Sequence, residues 1–82
     1  MMKQEYNITV YSENHIGMLS RITLVFTRRK INIDSLTVSE SAISGIYKFT
    51  IVIKSTPDLI VKVVGQIEKQ IDVLKAFYHT ND

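Results

Sequence analysis

The chain has 82 residues, ten Lys and Arg against eight Asp and Glu, and no Cys or Trp. A chain this short makes one small domain that buries only about 60 to 65% of the surface its unfolded form exposes, so a partner is expected to complete its core. The lack of Cys excludes a disulfide framework and a thiolate metal site, a net charge of +2 is a poor basis for binding nucleic acid, and no apolar run approaches the roughly 18 residues that span a bilayer. Together these features predict a soluble, unprocessed, cytoplasmic protein with no nucleic-acid or membrane partner.

Tyr6, Ile8 and Val10 alternate with Asn7, Thr9 and Tyr11, which is the pattern of a half-buried first strand. Residues 12 to 16 break it, with Asn14 as a candidate N-cap. From Gly17 the period lengthens: Leu19, Ile22 and Phe26, flanked by Met18, Val25 and Arg29, form the apolar stripe of a helix ending near Lys30. Arg28, Arg29 and Lys30 suit its last turn, where the helix dipole favours cations. In the second strand Ile31 and Ile33 share one parity while Leu36 and Val38 share the other, so a bulge near Asp34 or Ser35 is required to reconcile them. Residues 41 to 45 form a turn, and Tyr47, Phe49, Ile51 and Ile53 supply the core face of a third strand. Thr56-Pro57-Asp58 is a helix start, with a capping hydroxyl, a proline at the first helical position and an acid in the first turn. Leu59, Ile60, Val63, Val64, Ile67 and Ile71 are its expected buried stripe. Gly65 weakens this helix by about 1 kcal/mol relative to Ala and is expected to admit close packing of the two helices. Val73 to His79 closes the chain as a fourth strand.

The order β-α-β-β-α-β defines an α+β, ferredoxin-like fold over residues 1–82 as a single domain: a four-stranded antiparallel sheet with two helices on one face. Right-handed crossovers give the strand order 4-1-3-2 and leave strand 2 on an edge, where pairing with a second copy is the natural remedy for both the open edge and the small core. A fold of this kind hosts unrelated functions, so function has to be read from the site. An RNA reader would carry aromatics on the open face of strand 3, whereas Tyr47 and Phe49 share the parity of the core and the open face carries Ile46, Lys48, Thr50 and Val52. His15 and His79 stand at opposite ends of the chain, with no nucleophile and acid arranged around either. The open sheet face, with Thr9, Tyr11, Thr50 and Val52, is apolar enough to be an expected docking surface.

The loop after strand 1 carries the strongest chemistry. The first N–H groups of a helix have no intrahelical partner and attract a carboxylate. Gly17 either lets a ligand approach that backbone without a Cβ in the way or merely eases the tight turn. Under the first reading, Gly17→Asp would block the anion seat while leaving the helix intact. Strand 2 runs parallel to strand 1, so antiparallel pairing of two copies would set Asn32 of one beside the Asn14 to Leu19 loop of the other. An amide next to a helix N-terminus offers a donor and an acceptor to the carboxylate and ammonium of a free amino acid.

Asn14-x-x-Gly17-x-Leu19-Ser20-Arg21, the run from Ile31 through Asn32-Ile33-Asp34-Ser35-Leu36-Thr37 to Val38, Gln66-Ile67-Glu68-Lys69-Gln70 and Asp72-Val73-Leu74-Lys75 resemble the N-terminal ACT domain of the regulatory small subunit of acetolactate synthase (acetohydroxyacid synthase). The first pattern is common to ACT domains, and Asn-Ile-Asp-Ser-Leu-Thr-Val looks specific to this subunit. The resemblance implies a non-catalytic subunit that activates a catalytic large subunit carrying thiamine diphosphate, magnesium and FAD, with no cofactor or metal of its own. It further implies feedback inhibition by a branched-chain amino acid, valine foremost, bound at a homodimer interface in branched-chain amino acid biosynthesis. The implied ligand-binding residues are Asn14, His15, Ile16, Gly17, Met18 and Leu19 in the loop, with Asn32 and Ile33 across the interface. Many ACT domains have a proline before the glycine, where Ile16 here would serve as the apolar wall. Many relatives also continue into a second domain beyond this length. Two other readings of the same fold stay open: an assembly module that answers no ligand, and a small enzyme.

Overall fold

In the computed structural model, which describes residues 3–81, the elements are β1 (Gln4–Ser12), α1 (His15–Arg28), β2 (Ile33–Glu40), β3 (Tyr47–Ser55), α2 (Pro57–Glu68) and β4 (Val73–Thr80). Residues 1, 2 and 82, the ends of the expected domain, lie outside the described residues. The sheet order is β2-β3-β1-β4 with every neighbouring pair antiparallel, as the crossovers required. At its centre Ile8 lies opposite Ile51 and Val10 opposite Phe49, so the apolar parities of β1 and β3 fall on one face. That face meets Met18, Ile22, Val25 and Phe26 of α1 and Ile60, Val63, Val64 and Ile67 of α2, all buried. Each such side chain contributes about 1.5–3 kcal/mol on leaving water. The open face is the side that faces away from the helices.

The parity switch in β2 is resolved by a bulge. Ile33 pairs with Ile53 and Ser35 with Val52, which leaves Asp34 as the extra residue and turns Leu36 and Val38 toward the core opposite Ile51 and Phe49. The Asp34 carboxylate stands 4.0 Å from the Lys54 ammonium on the neighbouring strand. In α2 the Thr56 hydroxyl accepts the Leu59 N–H and Pro57 opens the helix, as the sequence signals. At the end of α1, Lys30 takes a left-handed φ of 57°. Its N–H donates to the Thr27 carbonyl and that of Ile31 to the Phe26 carbonyl, a Schellman closure with lysine at the position glycine usually occupies.

Three expectations are corrected. Helix α1 begins at His15 after the expected cap Asn14, but its buried stripe runs through Met18, with Leu19 only half-buried. Ile71 is 87% exposed. Helix α2 stops at Glu68, and the turn that returns the chain to β4, closed by the Gln70 N–H on the Ile67 carbonyl and the Val73 N–H on the Gln70 carbonyl, throws Ile71 outward. Gly65 is not a close-packing glycine, because a Cβ built there meets no atom within 4 Å. Gly65→Ala is therefore expected to stabilise the domain by about 0.5–1 kcal/mol through helix propensity alone. The gain should appear in a thermal melt as a rise of a few degrees, at roughly 4–8 °C per kcal/mol for a domain of this size.

Candidate functional site

The loop between β1 and α1 is tied down from three directions. The buried Ser12 hydroxyl lies 2.7 Å from the Glu13 carbonyl and 2.8 Å from the Asp72 carbonyl, and the Glu13 N–H donates to the same Asp72 carbonyl at 3.1 Å. Asn14 follows in a left-handed conformation, φ 56° and ψ 67°. Asn tolerates this region better than most residues because its short amide hydrogen-bonds locally. Its side-chain oxygen accepts the Gly17 N–H at 3.2 Å, its own carbonyl accepts the Met18 N–H at 2.9 Å, and its amide nitrogen donates to Asp72 Oδ2 at 3.3 Å. Arg21, about two helical turns beyond Asn14, donates to that same Asp72 oxygen at 2.9 Å.

The Arg21 and Asp72 side chains are 37% and 27% exposed, so the ion pair contributes about 1 kcal/mol or less in itself. Its structural effect is to orient the Asn14 amide, with the NH2 turned to Asp72 and the oxygen to the helix. Sequence reasoning did not assign Arg21 or Asp72 to the site. The two residues meet across 51 positions of chain, and no local pattern announces such a contact.

Gly17 has a steric task of its own. A Cβ at this position would stand 2.5 Å from Asn14 Nδ2 and 3.0 Å from both Asn14 Cγ and Oδ1. The glycine makes room for the capping side chain, and its N–H is already engaged by it. Gly17→Asp is consequently expected to disturb the cap as well as the anion seat. The Met18 side chain is wholly buried and its N–H is bonded to Asn14, so Met18 belongs to the scaffold.

The positive end of α1 is left with the N–H groups of His15 and Ile16, the first two helical positions, for which the helix offers no acceptor. The His15 ring stacks on Tyr47 at 4.8 Å and 25° and lies 6.2 Å from Phe49, which gives it a packing role. Ile16 is 82% exposed, an apolar side chain beside the free N–H groups.

Asn32 and Ile33 sit at the other end of the molecule. Ile33 and Tyr6 both pair with Ile53, near the start of β1, whereas the loop follows Ser12 at its end. At roughly 3.3 Å per residue the two sets are about 20 Å apart. No single chain brings them together. Asn32 is exposed and lines a polar cleft of about 450 Å³ with Lys3, Arg29, Lys30, Asp34 and Lys54. Among the described residues no three His, Asp or Glu side chains converge as metal ligands do.

The fold and the capped loop define the class, an ACT-type domain on a ferredoxin-like sheet. The ACT domain from the GTP pyrophosphokinase of Chlorobium tepidum superimposes with a TM-score of 0.77 at 20% identity, over 94% of this chain and 99% of that one, a likeness of fold alone. The chain belongs to the AHAS small subunit-like ACT domain family, whose model matches residues 5–75. It is 40% identical over 81 residues to the acetolactate synthase small subunit of Bacillus subtilis, covering 98% of this chain and 46% of that protein. It is 37% identical over 68 residues to a probable acetolactate synthase small subunit of Methanothermobacter thermautotrophicus, covering 83% of this chain and 40% of that one. The crystal structure of the acetolactate synthase small subunit from Thermotoga maritima superimposes with a TM-score of 0.81 at 28% identity, over 92% of this chain and 47% of that one. The chain thus spans less than half the length of these small subunits.

The collision at Gly17 predicts a reversal of sign. Gly17→Ala should destabilise the native chain by about 0.5–2 kcal/mol, the usual cost of losing a side-chain cap. In an Asn14→Gly background, which keeps the left-handed backbone and removes the amide, the same substitution should stabilise by about 0.5–1 kcal/mol. Urea melts of the four proteins in this cycle check it, and an equal loss in both backgrounds would mean that Asn14 is not what the glycine accommodates.

Proposed function

We propose that this chain is the amino-acid-sensing regulatory module of an acetolactate synthase. It acts as a homodimer through β2, has no catalysis of its own, and activates a catalytic large subunit that holds thiamine diphosphate, magnesium and FAD. In this role it lowers that enzyme's activity when a branched-chain amino acid, valine foremost, accumulates. The observation that carries the reading is the separation of the candidate residues into two sets at opposite ends of one chain. Antiparallel pairing along β2 turns that separation into proximity, since it lays Asn32 and Ile33 of one copy beside the Asn14 to Leu19 loop of the other.

Each residue then has a chemical task. The N–H groups of His15 and Ile16 receive the effector's carboxylate, with the helix dipole behind them. The Asn32 amide oxygen of the second copy accepts from the ammonium. Ile16, Leu19 and Ile33 surround a branched apolar side chain, and the high exposure of Ile16 supports this use. Asn14 and Gly17 hold the helix start in the shape that leaves those two donors free, with Asp72 and Arg21 fixing Asn14 from outside.

Two measurements test the proposal. Light scattering at micromolar concentration should give the mass of a dimer. Valine, leucine or isoleucine should raise the melting temperature, because a ligand that binds only the folded state stabilises it by mass action. Asn32→Ala should leave the dimer intact and weaken the effector about tenfold or more, the cost of one hydrogen bond to a charged group. A monomer that binds the amino acid would overturn the shared site. A dimer indifferent to every amino acid would leave an assembly module in its place.

A further inference from the structure

The open sheet face is not uniformly apolar. Thr9, expected to belong to a docking surface, is only 6% exposed, hemmed in by its neighbours, and Thr50 and Val52 are half-buried. Phe77, opposite Thr9, is 38% exposed beneath the Lys75 ammonium, and the more exposed aliphatic side chains lie at one end of that face, where the β2–β3 hairpin borders a groove of about 450 Å³. Its apolar walls include Tyr11, Ile43, Ile46 and Leu74, of which Ile43 is 68% and Leu74 58% exposed. A bulge between the pairings of Tyr11 and Ser12 with β4 lets Leu74 share the groove with its neighbour Lys75. Lys48 and Lys75 are the charged residues of the lining, and no carboxylate lines it among the described residues.

We infer that this groove docks an apolar segment flanked by carboxylates, and, resting on the function proposed above, that the segment belongs to the catalytic subunit. Charge complementarity decides the occupant. An apolar side chain fills the space between Tyr11, Ile43, Ile46 and Leu74, while acidic neighbours meet Lys48 and Lys75. A second copy stacked on the same face about a two-fold axis would bring these lysines toward the same lysines of its partner, in an isologous contact between like charges. The groove is also in rigid connection with the effector loop. Leu74 lies two residues beyond Asp72, whose carboxylate holds Asn14 and whose carbonyl receives the Glu13 N–H. A surface that must report the state of that loop is best built on the strand that anchors it.

The test is reconstitution of the organism's own acetolactate synthase catalytic subunit with the full chain, titrated to half-maximal activation. Ile43→Asp/Leu74→Asp should require about tenfold or more protein, as expected when a central apolar contact is lost. Lys48→Glu/Lys75→Glu, at sites whose charge reversal does not touch the core, should show a similar loss. It should also abolish the weakening of association by added salt that is expected of the native pair. Val61→Asp, on the exposed side of α2, should activate like the native chain. Circular dichroism verifies the fold, and the lysine pair decides the matter if the aspartate pair unfolds. Native activation by both groove variants, with the unsubstituted chain active, overturns the docking site alone. A chain that neither binds nor activates the catalytic subunit overturns the functional proposal and the docking site with it. A native mass above the dimer that the groove variants restore to the dimer would assign the groove to a second copy and overturn the inference.

Discussion

The antiparallel pairing of β1 with β3 is the constraint on which the remaining structure depends. It joins the two apolar parities into one face, and both helices cover that face. It also fixes distance. The loop that opens α1 and the start of β2 lie at opposite ends of the same sheet because β1 and β2 are parallel, each antiparallel to β3 between them. A ligand that needs both places would therefore require a second chain, a condition set by strand direction before any side chain is considered.

At the loop itself the polar contacts are arranged in sequence. Asp72 restrains the Asn14 amide, Asn14 engages the Gly17 N–H, and the absence of a Cβ at Gly17 makes that engagement sterically feasible. The arrangement uses up one N–H at the positive end of the helix and leaves the two before it for another acceptor. A left-handed residue at a helix start costs some conformational energy, and here it persists because its side chain and carbonyl are both bonded.

Much of the fold was legible in the sequence because its determinants are local. Alternation in β1 and β3, the capping triplet Thr56-Pro57-Asp58 and the parity conflict in β2 are properties of a few adjacent residues, and each appears in the structure where the pattern put it. The misses are positions decided by tertiary contacts. Ile71 continued a helical period that the turn into β4 interrupts, Gly65 lacked the neighbour expected for it, and Met18 is buried more fully than Leu19, which packs at the core's margin. For the site, Asn14 as N-cap could be read from residue type and position. The purpose of Gly17 and the involvement of Asp72 could not, since one depends on where a side chain three residues away swings and the other on a contact across the sheet.

The bulge at Asp34 has a consequence for the outer edge of β2. Removing Asp34 would leave Ile33, Ser35 and Leu36 in regular alternation against β3, so the fold itself does not need the extra residue to keep its core face. What the bulge changes is the strand's suitability as a template, because the local twist it introduces interrupts the even spacing of edge hydrogen-bonding groups. A strand laid along β2 finds regular partners from Ser35 to Glu40 and loses them at Asp34, so sliding by two residues would carry the irregularity into the ladder. The edge thereby admits one alignment in preference to its shifted alternatives and resists indefinite lateral growth of the kind that leads to fibres.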